Sequence, residues 1–138
     1  MIALDTSAIA AIALDEPEAE DFKQALRDEA VLIGWPTLFE ARIVLTAKGF
    51  KNAAAIVGAL AEAPNVTALP FDRRHCAAAE AAYERYGKGR HPAGLNMGDC
   101  FAYATAAVSR APLLFKGGDF GLTDVLRHRA SAVLRGRE

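Results

Sequence analysis

Met1-Ile2-Ala3-Leu4-Asp5-Thr6-Ser7 opens the chain, and the reading of this stretch decides the fold. Ile2 to Leu4 is apolar at every position, as expected of a strand covered on both faces, and such strands belong to parallel sheets. Thr6 or Ser7 is suited to cap a helix starting near Ala8. Asp5 then stands where strand gives way to helix. In an open parallel sheet, ligands bind in the crevice outside the carboxyl ends of the strands, so any other carboxylate delivered to that edge would share a site with Asp5.

The same alternation of short apolar run and helix continues outward from this stretch. Ser7 to Leu14 reads as a short helix, and Glu16-Pro17-Glu18 opens a second that carries Ala19, Phe22, Ala25 and Leu26 at helical spacing. Val31-Leu32-Ile33 is a second strand, closed by Gly34. Trp35-Pro36-Thr37 leads into a helix from about Leu38 to Lys48, with Glu40 in its first turn or so. Asn52 to Ala61 forms another helix, Val66 to Leu69 a third strand with Thr67 the more exposed residue, and Asp72 caps a long helix ending near Tyr86. His75, in that helix, reads as a satisfied histidine rather than a ligand. Gly87 to Gly94 is a polar, glycine-rich loop, taken as a mobile connection bearing Lys88, Arg90 and His91; it lacks the pattern of a P-loop.

Leu95-Asn96-Met97-Gly98-Asp99 starts a helix that runs to about Val108 and is apolar almost all round, which places it between the sheet and another layer. The aspartate at its start is therefore an exception. Leu113-Leu114-Phe115 is a fourth strand, Lys116 to Phe120 a tight turn holding Asp119, and Ala130 to Leu134 one more short strand. Strands alternating with helices predict an α/β architecture: a single domain over residues 1–138 with a central, mainly parallel sheet of four to five strands and helices on both faces.

Composition sets the outer bounds. With 52% hydrophobic and 24% charged residues the chain is ordinary globular protein, and a formal net charge of −1 provides no global field to recruit a polyanion. Nucleic acid would have to be held by a local patch or by bound cations. Cys76 and Cys100 match no metal-ligand spacing and are expected to be buried free thiols in a reducing compartment. The start of the chain lacks the features of a signal peptide, and no apolar run approaches the roughly twenty residues that span a bilayer. A cytoplasmic protein that makes no membrane contact is expected.

Asp5, Glu40, Asp99 and Asp119 fall in four different segments, each at a strand end or a helix start, so a parallel sheet would bring them to one edge. Four carboxylates gathered without counterions repel one another, and some would have to bind protons at neutral pH. A divalent cation resolves the conflict. Oxygen-only donors suit Mg²⁺ or Mn²⁺ rather than zinc, and such ions at a phosphodiester imply metal-dependent hydrolysis. Thr6 and Ser7 either cap the first helix or hydrogen-bond an acid or a water beside it. Arg42, Lys88, Arg90, His91 and Lys116 are the basic residues nearest these acids in sequence and are candidates for holding the phosphates of such a substrate. Trp35 and Phe120 are read as core packing in preference to base-stacking platforms.

The chain resembles the PIN-domain ribonucleases, and among them the VapC-type toxins of bacterial toxin–antitoxin pairs. The stretches that carry the resemblance are Met1 to Ser7, Thr37-Leu38-Phe39-Glu40-Ala41, Leu95 to Ala104, and Leu114 to Phe120 with Thr123-Asp124; they cover the chain in the family's order. The resemblance implies that Asp5 and Asp99 are the principal metal ligands, that Glu40 and Asp119 complete the acidic site, and that Asp124 is an adjoining or structural acid. It also implies an endoribonuclease that leaves 5′-phosphate and 3′-hydroxyl ends, an RNA substrate, a VapB-like antitoxin whose tail enters the acidic groove, and a homodimer. Three rivals are weaker. A haloacid dehalogenase phosphatase would need a second acid where Ser7 stands, and a receiver domain would need a phosphoacceptor aspartate that Val66 to Leu69 does not supply. The third, a binding module without turnover, differs by being insensitive to chelator.

Overall fold

In the computed structural model, which describes residues 1–133, four strands form one parallel sheet in the order β3-β2-β1-β4. They are β1 (Ile2–Leu4), β2 (Val31–Gly34), β3 (Val66–Leu69) and β4 (Leu113–Leu114). Helices α1 (Thr6–Ala13) and α2 (Ala19–Asp28) connect β1 to β2, α3 (Trp35–Ala47) and α4 (Ala53–Glu62) connect β2 to β3, and α5 (Arg73–Tyr86) and α6 (Met97–Ser109) return the chain to β4. Two further strands, β5 (Lys116–Gly117) and β6 (Ala132–Val133), make a separate parallel pair with Lys116 opposite Ala132. Leu134, expected to end the last strand, lies outside the described residues.

Side chains alternate across a strand, so each strand feeds two cores. Ile2, Leu4, Val31, Ile33 and Leu114 pack with α1 to α4, against Ile9, Phe22, Leu38 and Leu45. Ala3, Leu113 and Phe115 point the other way and pack with α5 and α6, against Tyr86, Leu95, Ala102 and Ala106. This is why β1 and β4 are apolar at every position, whereas β3, at the sheet's edge, carries the exposed Thr67. The chain winds from β1 outward to β3 with helices on one face, then crosses to the far side of β1 with helices on the other. The direction reverses between β1 and β4, and at such a reversal the loops leaving the two strand ends part to form a crevice.

Several boundaries differ from the sequence reading, each for a local reason. The cap of α1 is Asp5 itself, whose carboxylate accepts the Ser7 N–H at 3.0 Å, so Thr6 and Ser7 lie within the first turn. Helix α3 begins at Trp35, because proline is tolerated in a first turn where its missing N–H has no partner to lose. Glu40 consequently sits in the second turn. Trp35 is 56% exposed rather than packed in the core, and it forms an outward stripe with Phe39 and Ile43 at four-residue intervals. Phe120 is buried as expected. Cys100 is buried but Cys76 is exposed, since the buried face of α5 runs through His75, Ala82 and Tyr86 instead. Among the described residues no helix is long and apolar enough to cross a membrane.

Candidate functional site

Asp5 leaves the end of β1 in extended backbone, and its carboxylate turns back over the first turn of α1. Both Ser7 groups donate to the same oxygen, Oδ2, the backbone N–H at 3.0 Å and the hydroxyl at 2.5 Å. The Ser7 hydroxyl in turn accepts the Lys116 N–H at 3.0 Å, tying Asp5 to the chain that leaves β4. Asp5 Oδ1 is the oxygen left for another partner. Burial drives the Asp5 pKa up to about 7; the Ser7 bonds oppose the shift, and the Asp99 and Glu40 carboxylates add to it.

Asp99 is placed by a reciprocal cap. The Asn96 side chain accepts the Asp99 N–H at 2.9 Å while Asp99 Oδ2 accepts the Asn96 N–H at 3.0 Å, which fixes the acid over the first turn of α6. Its pKa is pushed up to about 6 by burial, against the pull of the Asn96 bond, with Asp119 and Glu40 contributing repulsion. Glu40 accepts a hydrogen bond from the Thr6 hydroxyl. Asp119 is exposed and precedes the short 3-10 turn Phe120–Leu122; its charge is felt at Asp99, whereas the charges acting on Asp5 are those of Asp99 and Glu40.

Glu40 reaches this position only because residue 98 is glycine. A Cβ built on Gly98 would overlap the Glu40 carboxyl group, so α3 and α6 approach closely where the acid lies between them. Sequence reasoning did not assign Gly98 a part. The signal available was a glycine in the first turn of an otherwise apolar helix, where alanine would favour the helix by about 1 kcal/mol.

The other candidate residues lie around this cluster. Both Asp124 oxygens are engaged outside it, one by the Tyr103 hydroxyl at 2.6 Å and the other by Arg85 at 3.2 Å; the Tyr103 bond, helped by Arg85, holds its pKa low. Lys116 does not present its ammonium to the acids. It is paired with Glu16 at 3.0 Å and Glu18 at 2.8 Å, beyond the end of α1. Arg42 is exposed and lines a shallow hollow on α3 with Phe39, Ile43 and Thr46. Lys88, Arg90 and His91 sit on a loop that is hydrogen-bonded rather than loose: Lys88 N–H reaches the Leu95 carbonyl at 3.0 Å, and the His91 ring accepts the Ala93 N–H at 3.0 Å. His75 is buried and completes the Asp72 cap of α5.

The acids fit a hard divalent cation by their chemistry. All four offer oxygen only, two are pushed well above the usual carboxylate range, and among the described residues no ion pair involves Asp5, Glu40, Asp99 or Asp119. The arrangement is open. Among the described residues no three Asp, Glu, His or Cys side chains close into a ready-made cage, as Thr6, Ser7 and Asn96 each hold one carboxylate.

Comparison with known proteins gives the chain a lineage. The family model described as "PIN domain" matches residues 2–126. The chain is 44% identical over 123 residues to the Ribonuclease VapC of Mycolicibacterium smegmatis, an alignment covering 88% of this chain and 95% of that protein. Among solved structures, the sarcin–ricin loop cleaving toxin VapC20 of Mycobacterium tuberculosis superposes with a TM-score of 0.76 at 17% identity, covering 94% of this chain and 99% of that one. A toxin–antitoxin complex from Klebsiella pneumoniae gives a TM-score of 0.69 at 19% identity, covering 96% and 98%. At these identities the two structures speak to the fold, and the curated relative speaks to descent. The family match over residues 2–126 and that descent, on a parallel β3-β2-β1-β4 sheet, place the chain in the PIN-domain family, among the VapC ribonucleases.

Proposed function

We propose that the chain acts, as one PIN domain over residues 1–138, as a Mg²⁺- or Mn²⁺-dependent endoribonuclease and is the toxin of a toxin–antitoxin pair. The observation that carries this reading is the group of four acids at the sheet's switch point with, among the described residues, no basic side chain paired to them. Asp5 and Asp99 are the residues to hold the ion, with Glu40 and Asp119 joining directly or through water. When bound, the ion supplies the positive charge that draws in the phosphodiester and makes hydroxide available from water near neutral pH.

The chain's own residues prepare that chemistry. Ser7 fixes Asp5 by two donated bonds, Asn96 fixes Asp99, and Thr6 donates to Glu40, so three of the four acids keep their positions without an ion. Arg42, Lys88 and Arg90 are the candidate cations that remain for RNA phosphates, with His91, whose Nδ1 accepts the Ala93 N–H, as a neutral hydrogen-bonding neighbour, since Lys116 is occupied by Glu16 and Glu18. A VapB-like antitoxin, a homodimeric state and a cytoplasmic setting complete the proposal. The antitoxin is supported by likeness in fold to a toxin–antitoxin complex.

The test is cleavage of structured RNAs by the purified chain with and without a chelator. Cleavage is expected to stop in chelator and to return with Mg²⁺ or Mn²⁺. Cleavage that continues undiminished in chelator would sink the proposal, and tight RNA binding without turnover in either condition would favour a binding module.

A further inference from the structure

Between α5 and the first turns of α6 lies an apolar groove of about 460 Å³. Phe71, Tyr83, Met97 and Phe101 form its walls, and Lys88 and Asn96 stand at its rim. None of the four acids lines it. Asn96 nevertheless caps the turn that bears Asp99, so an occupant leaving the groove over Met97, which is 73% exposed, emerges at the helix end where the acids begin.

The composition of the groove selects its ligand. Phe71 and Phe101 meet edge to face with centroids 5.2 Å apart, and the Arg90 guanidinium lies 4.9 Å over the Tyr83 ring. Aromatic faces with a polarisable thioether suit a flat heteroaromatic ring, and cations beside them suit phosphates joined to that ring. The loop holds those cations against the groove wall through the Lys88 and Leu95 backbone bonds, the latter from Leu95 N–H to the Tyr86 carbonyl at 2.9 Å. Glu80, an acid in the lining, accepts the Cys76 thiol at 3.3 Å and can equally accept an exocyclic amine.

We propose that this groove receives an unstacked nucleobase of the RNA close to the scissile phosphate, with Lys88 and Arg90 on the neighbouring phosphates, and so helps to select which bond is cut. The inference rests on the endoribonuclease reading above. An apolar segment of a protein partner is the competing occupant; the cations beside the aromatic walls favour the polyanion.

The chain has two methionines, Met1 and Met97, so methyl-labelled methionine gives one signal in the groove and one reference at the start of β1. The full chain carrying Asp5→Asn, titrated with a mixed-sequence single-stranded RNA decamer, is expected to shift the Met97 signal saturably and leave Met1 unmoved. Lys88→Glu should weaken that binding by about tenfold. Ala79→Phe, which fills the groove, should do the same and, with Asp5 intact, change the positions cut. If Ala79→Phe fails to fold, the surface change Lys88→Glu still decides the matter. An unmoved Met97 at saturating RNA, or a Met97 shifted by an apolar peptide and not by RNA, overturns the proposal. Asp5-dependent cleavage with Met97 unmoved removes the groove and leaves the ribonuclease; a shifted Met97 without any cleavage by the wild type does the reverse.

Discussion

Asp5→Asn is expected to lower RNA cleavage by at least about a thousandfold, the scale of removing a central charge-stabilising group from an active site, while making the metal-free protein harder to unfold. The second effect follows from the direction of the Asp5 shift. Its pKa is about 7 in the folded chain against the ordinary aspartate value of 3.8, so the native state binds the proton more tightly than the unfolded state does. Stability from this group is therefore greatest at low pH and falls as pH rises from about 4 to about 7. Above that window the full cost of burying the ionised form applies, about 4 kcal/mol at 1.36 kcal/mol per unit. Asparagine never ionises and can keep the Ser7 bonds. The variant should thus melt several degrees above the wild type at pH 8 in chelator, by less at pH 5, and Mg²⁺ should close the gap by stabilising the wild type alone. A variant that melts lower at pH 8 in chelator would contradict the burial and repulsion assigned to this acid.

Gly98→Ala should lower cleavage by about a hundredfold, the range for losing a group that orients a metal ligand, with the fold retained. The added methyl group collides with the far end of the Glu40 side chain, which can swing away, rather than with backbone, which cannot. The swing costs the Thr6 bond and withdraws one acid from the cluster. Helix α6 itself gains propensity from the change, by about 1 kcal/mol, which offsets part of the lost contact. Because the effect is routed through Glu40, the double change Gly98→Ala with Glu40→Gln should be no worse than the weaker single, a coupling visible in a double-mutant cycle of cleavage rates. Independent, additive losses would mean that Gly98 acts in some other way.

Much of this site was legible in the sequence because its acids sit at the ends of local patterns. Asp5 follows an all-apolar run and Asp99 opens an apolar helix, and both readings rest on residues adjacent in the chain. What was not legible depends on contacts between distant elements. That Asp5, and not Thr6 or Ser7, caps α1 follows from where its carboxylate turns; that Lys116 faces Glu16 and Glu18 follows from the path of the chain after β4. The helix bearing Glu40 starts at Trp35 rather than near Leu38, which moves the acid from the first turn or so into the second, because proline in a first turn is compatible with helix. The part played by Gly98 exists only where α3 meets α6. No local pattern marks it.

The measurement that tests the central claim most directly is the mapping of RNA ends in cells after brief induction of the wild type and of Asp99→Asn. Four acids acting together on a phosphodiester predict discrete new 5′-phosphate ends in the wild-type sample and none of them with the variant. The same ends at similar abundance in both samples would contradict the account.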